Sequence, residues 1–128
     1  MKLIDLLDFS KIEGGLIPVI AQDYQTKEVL MLAFANKTAI ELSLETGLMH
    51  YYSRSRQKVW QKGETSGHFQ ELEELIIDCD SDSILIKVRQ IGAACHKGYY
   101  SCFYRIFKNG KLEEIKSRIF NPKDVYGN

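Results

Sequence analysis

The sequence predicts an α+β domain: a β-rich, mostly antiparallel, curved or barrel-like sheet with one principal helix. Three observations predict it. Apolar stretches of strand length recur along the chain, a single segment carries helix start and stop signals, and an Asn-Gly pair separates two short runs near the end. The 128 residues suit one domain spanning 1–128, since a single core organises about 100 to 200 residues.

Leu16 to Gln22 and Glu28 to Phe34 read as two strands joined by a polar hairpin loop, Asp23 to Lys27. Pro18 has no N–H to give a ladder, which predicts an edge position for the first strand. Asn36 is a helix cap and Gly47 a terminator, with Ala39, Leu42, Ser43 and Thr46 as the buried stripe between them. Leu48 to Ser53 and Leu72 to Asp78 read as short strands. Ile84 to Gln90 alternates, with Ile84, Ile86, Val88 and Gln90 on one face. Cys102 to Lys108 and Lys111 to Lys116 flank Asn109-Gly110, the hairpin signal. No internal repeat, low-complexity tract or linker interrupts this order.

Composition narrows the function. Apolar residues make up 45% and charged residues 27%, so the chain has a core to bury and is not a disordered segment. Seventeen basic residues balance seventeen acidic ones, which leaves no overall field to attract nucleic acid or an anionic membrane. The longest apolar run, Val29 to Ala35, is far below the roughly 20 residues that span a bilayer. The first residues, MKLIDLLDFSK, lack the apolar centre of a signal peptide, so the expected compartment is the cytoplasm.

The zero net charge conceals a segregation. His50 to Gly63 holds Arg54, Arg56, Lys58 and Lys62 without an acid, whereas Glu64 to Ile86 holds seven acids without a Lys or Arg. Such runs are often two solvated faces. The guanidinium forks and hydroxyls of Ser53-Arg54-Ser55-Arg56, with Gly63 and Gly67 nearby, also suit phosphate oxygens. Tyr51, Tyr52 and Trp60 interleave with these basic residues either as core aromatics or as a base-stacking surface.

Cys79, Cys95 and Cys102 lack the C-x-x-C knuckle of a zinc ribbon. They read either as buried, unrelated thiols or as ligands of one soft metal, and the residues alone leave both readings open. Three thiolates would leave one position of a tetrahedral zinc open for water. His96 follows Cys95 directly, so on extended backbone it faces away from Cys95 and stands beside the metal, where it is the candidate general base. His50 and His68 have weaker claims. Asp78, Asp80 and Asp82, at alternate positions, would share one face of an extended segment and attract a hard cation such as magnesium. A calcium loop starting at Asp78 would need Gly and Glu where Ser83 and Arg89 stand.

The stretch HYYSRSRQKVWQKGETSGHFQ, followed by DCDSDSILIKVRQIGAACHKGYYSCFYR, closely resembles the phosphoribosyl-AMP cyclohydrolases of histidine biosynthesis, and the earlier IAQDYQTKEVLMLAFAN extends the likeness. The match departs in one motif: GAACHKG stands where the family usually shows GPACHTG, so an alanine replaces the Pro and Lys97 replaces the Thr. The resemblance implies a monofunctional zinc- and magnesium-dependent hydrolase that opens the adenine ring of N1-(5-phosphoribosyl)-AMP by attack of zinc hydroxide, breaking the N1–C6 bond. It implies zinc on Cys79, Cys95 and Cys102, drawn from both chains of a homodimer, and magnesium on Asp78, Asp80 and Asp82. His96 would handle the proton. Arg54, Arg56 and Lys62 would hold phosphates of this small nucleotide substrate with magnesium, and Glu64 and Ser66 would either contact ribose or phosphate or merely shape the loop. The competing expectation is a non-enzymatic module with structural zinc on the three cysteines and His96, binding single-stranded RNA through Tyr51, Tyr52, Arg54, Arg56 and Trp60. Its weakness is the zero net charge, because nucleic-acid affinity rests largely on phosphate neutralisation.

Overall fold

Alternating burial decides where the first strands lie in the computed structural model, which describes residues 2–127. β1 (Ile17–Asp23) buries Ile17, Val19 and Ala21 completely and turns Ile20 outward. β2 (Val29–Ala35) returns antiparallel, with Ile17 opposite Ala35 and a bulge at Ala21/Gln22. Asp23 organises the connecting loop by accepting the backbone N–H groups of Gln25 at 2.8 Å and Thr26 at 2.9 Å.

A one-turn helix α1 (Leu3–Leu6) precedes β1, and the principal helix α2 (Lys37–Thr46) follows β2. Asn36 caps α2 by accepting the Ala39 N–H at 2.9 Å, and Gly47 ends it in the left-handed conformation at φ 77°. Its buried residues are Ala39, Ile40 and Ser43. The expected stripe is therefore rotated, with Ile40 inside and Thr46 exposed. Ser43 explains the shift, because its hydroxyl accepts the His50 N–H at 2.8 Å and donates to Ala39 O at 2.7 Å, fastening the helix to the next strand.

That strand, β3 (His50–Ser53), forms a hairpin with β4 (Lys58–Gln61), a strand the sequence reading did not anticipate. β5 (Gln70–Ile77) and β6 (Ile84–Gln90) are antiparallel, and β6 runs parallel to β1, giving a four-stranded sheet of order β2-β1-β6-β5. β6 buries Ile84, Ile86, Val88 and Gln90, the face expected.

Two expectations change. β1 is interior rather than an edge; Pro18 is tolerated because the ladder to β6 begins only at Val19. The sheet is open and mixed rather than closed into a barrel. Other segments cover its edges: Leu30 O of β2 accepts the Cys102 N–H at 2.7 Å, and Gln70 O of β5 accepts the Met49 N–H at 2.9 Å. Masking an edge in this way removes the need for closure.

β7 (Arg105–Lys108) and β8 (Lys111–Glu114) form the hairpin expected at Asn109-Gly110, whose φ values of 53° and 74° suit a primed turn, and both strands are exposed. The short α3 (Pro122–Tyr126) follows. No helix among the described residues is long and apolar enough to cross a membrane. The core centres on Ile17, Leu30, Ile40, Met49, Tyr51 and Ile86. Gln70, fully buried among them, accepts the Tyr51 hydroxyl at 2.5 Å and donates to Gln90 Oε1 at 2.9 Å, so these three side chains satisfy one another.

Candidate active site

The loop after β6 folds on itself through backbone hydrogen bonds from Ala94 N to Tyr100 O at 2.9 Å, Cys95 N to Tyr99 O at 3.1 Å and Gly98 N to Cys95 O at 3.1 Å. These bonds bury Cys95. The Cys102 N–H bond to β2 then brings the second thiol back beside the first. Burial pushes the Cys102 thiol up to about 12, the neighbouring Cys95 adds to the rise, and Lys62 opposes it. Two of the three predicted sulfur ligands thus meet. Cys79 does not join them in this chain: it is exposed on the turn between β5 and β6.

Beside the thiol pair opens a cleft of about 300 Å³, lined among others by Arg56, Lys62, Glu64, Ser66, His96 and Cys102. The β4–β5 connection builds one wall. Gly67 N donates to Gly63 O at 2.7 Å, and Ser66 Oγ accepts the His68 N–H at 3.0 Å. Gly63 sits at φ 91°, and a Cβ there would come within 2.7 Å of the His68 and Phe69 backbone, so only glycine lets the wall close. Lys62 is buried, and its ammonium donates to Ala94 O at 2.6 Å. Burial lowers its pKa, while the charges of Cys102 and Cys95 raise it.

Arg54 stands off the cleft. Its guanidinium covers the Phe34 ring at 4.0 Å in an adjoining surface hollow, and Arg56 lines both hollow and cleft. The remaining histidines have structural settings: His50 Nδ1 lies 2.9 Å from Leu48 O, and His68 meets Phe120 edge-on with centroids 4.9 Å apart. Tyr51 is wholly buried with Trp60 tilted against it at 5.6 Å, which leaves Tyr51 no face on which a base could stack.

Asp78, Asp80 and Asp82 converge, with carboxylate oxygens within 4.8 Å of one another, but on a turn rather than an extended segment. Ser81 in the left-handed region at φ 64° makes the turn. Asp78 accepts the Asp82 N–H at 3.0 Å and the Ser83 hydroxyl at 2.5 Å. The Ser83 hydroxyl, with further hydrogen bonds at the turn, holds the Asp78 carboxyl well below the usual range, while Asp82 is raised chiefly by its contact with Asp80. Lys11, which sequence reasoning missed, reaches Asp80 at 3.0 Å and Asp82 at 3.2 Å. Nothing near Lys11 in the chain signalled that contact. Tyr126, also missed, lines the cleft from the far end of the chain.

By donor chemistry, the paired thiols suit a soft ion such as zinc and the carboxylates a hard one such as magnesium. The two thiols are fewer donors than the four of a tetrahedral zinc site.

The family model described as phosphoribosyl-AMP cyclohydrolase matches residues 31–104, the span that holds the thiols, the aspartates and most of the cleft. A phosphoribosyl-AMP cyclohydrolase of Methanoregula boonei is 55% identical over 115 residues, covering 90% of this chain and 91% of that protein. One of Methanococcoides burtonii is 55% identical over 125 residues, covering 97% and 100%. A histidine biosynthesis bifunctional protein of Thermoanaerobacter pseudethanolicus is 57% identical over 114 residues, and the match spans only 53% of its length. Identity of this degree along nearly the whole length of the first two relatives makes the chain a member of the phosphoribosyl-AMP cyclohydrolase family.

Proposed function

We propose that this chain is a single-domain, metal-dependent hydrolase of histidine biosynthesis that opens the adenine ring of N1-(5-phosphoribosyl)-AMP between N1 and C6. The observation that carries the reading is the meeting of Cys95 and Cys102 beside a cleft lined by His96 and by groups suited to phosphate and ribose.

Cys95 and Cys102 would hold the zinc, which when bound would supply a Lewis acid able to make water acidic near neutrality. His96, at the cleft and next to Cys95, accepts the water proton as oxygen bonds to C6 and returns it to N1 as the N1–C6 bond breaks. The ribosyl group on N1 makes the ring cationic, so N1 leaves rather than ammonia. Arg56 belongs to both cleft and hollow and, with Arg54 beside it, forms a basic lining for a substrate bearing two phosphates, while Lys62 adds its charge deeper in the cleft. Glu64 and Ser66 face the same space and suit ribose hydroxyls. Asp78, Asp80 and Asp82 would hold a magnesium ion, which would supply a hard cation for phosphate oxygens.

The third zinc ligand in this reading is Cys79 of a second copy. Its exposure on the β5–β6 turn, away from the other two thiols, supports a homodimer with two shared sites related by a twofold axis. The cytoplasm is the compartment that suits a biosynthetic enzyme acting on a phosphorylated nucleotide.

Incubation of purified protein with N1-(5-phosphoribosyl)-AMP, zinc and magnesium tests the activity. The expected product has gained one water and lost the purine absorbance. Unchanged substrate in the presence of both metals would overturn the reading.

A further inference from the structure

Lys62 is 7% exposed, and an ammonium removed from water is costly unless negative charge compensates it. Among the described residues no carboxylate forms an ion pair with it. Its Nζ donates to Ala94 O at 2.6 Å, the carbonyl directly before Cys95, and it lines the cleft with Cys102. The Trp60 ring centroid lies 5.9 Å from Nζ on the same strand arm, and the Lys62 N–H is fixed to Met49 O at 3.0 Å. The side chain is thus held against the thiol loop from both ends. Arg54 and Arg56, by contrast, are exposed.

We propose that Lys62 is the positioning residue that offsets the excess negative charge of the three-thiolate zinc site, rather than a phosphate ligand. The inference rests on the zinc reading above. Three thiolates around a divalent ion leave one surplus negative charge, and in a partly dry cleft that surplus destabilises the loaded site and blunts the Lewis acidity of the metal. One buried ammonium beside the ligands balances the surplus. Its distance from solvent keeps salt from screening it.

Zinc affinity of the purified protein, measured by competition with a chromophoric chelator, tests this together with the melting temperature of the metal-free form. Lys62→Met removes the charge at similar length, Lys62→Gln removes the charge but retains a donor for Ala94 O, and Lys62→Arg retains the charge. Zinc binding is expected to weaken about ten- to hundredfold in the Met and Gln variants, a range set by one charge pair at intermediate dielectric, and to stay within a few-fold of the parent in the Arg variant. Metal-free Lys62→Met is expected to melt no lower than the parent. Unchanged zinc affinity in both neutral variants would overturn the proposal, as would full rescue by Gln, which would assign the residue a hydrogen-bonding role only. A rise in KM with unchanged zinc binding would make Lys62 a phosphate ligand and overturn it too. Absence of zinc binding by the parent would instead sink the metal reading itself.

Discussion

The thiol pair and the aspartate turn each gather donor groups of one kind, and their surroundings differ at every step. Cys95 is 6% exposed, while the Asp80 side chain is 53% exposed. Each group has a lysine: Lys62 is buried against the thiol loop, and Lys11 spans Asp80 and Asp82 in water. Soft ligands gain from exclusion of water, because the thiolate–metal bond replaces hydration that sulfur values little. Hard carboxylates exchange readily with water, and a magnesium site keeps several waters of its own. If the thiols hold zinc as proposed, the same electrostatic device has a large effect at one place and a small one at the other.

The sharpest way to break this comparison is to remove a buried ligand. Cys95→Ser is expected to abolish tightly bound zinc and to reduce activity more than about a hundredfold, since loss of outer-shell partners alone costs about 10 to 100-fold. Full zinc content in the variant, by elemental analysis, would take Cys95 out of the site. Next in size is complementation between chains. Mixing inactive Cys79→Ser and Cys102→Ser proteins under conditions of subunit exchange should restore activity to about a quarter of the parental sites, because half of the dimers are mixed and each mixed dimer has one intact site. No recovery would place all three ligands in one chain.

At the exposed region the effects are smaller. Asp80→Asn is expected to raise the magnesium concentration for half-maximal rate by roughly tenfold while leaving zinc bound. An unchanged requirement would make the turn merely solvated. Smallest of all, Lys11→Ala should lower the magnesium requirement a few-fold, by freeing two carboxylates, and leave the melting temperature unmoved. A large loss of stability would show that the lysine is structural, and the contrast with Lys62 would fail.

Much of the local structure was legible because its causes are local. Asn36 and Gly47 bound α2 as their cap chemistry dictates, β6 alternates as its apolar residues do, and Asn109-Gly110 turns β7 into β8. Non-local partners were hidden. Pro18 argued for an edge on the strength of one missing N–H, but the strand beside it comes from residues 84–90 and starts one residue later. Ile40 displaced Leu42 from the helix stripe because Ser43 bonds to a strand that follows the helix. The cysteines and aspartates were visible as donor sets, since ligand chemistry resides in residue type. Their settings were not, because Ser81 turns the aspartate segment and only the folded loop shows Cys95 against Cys102 and Lys62. Arg54 shows the limit of reading a charge run as one patch, its guanidinium lying over Phe34 in a hollow beside the cleft.

The parallel ladder between β1 and β6 also has a consequence for how the chain is made. Val19 pairs with Ile84, so the centre of the sheet cannot assemble until most of the chain has been synthesised, and pairings so distant in sequence are slow to form. Cys95 and Cys102 lie in the loop after β6, which returns to the sheet at the edge of β2. During biosynthesis Cys95, buried in the folded chain, therefore spends an interval open to oxidants and to stray metal. Maturation of the enzyme becomes a race between closure of the sheet and chemistry at sulfur, and a reducing compartment decides it in favour of the fold.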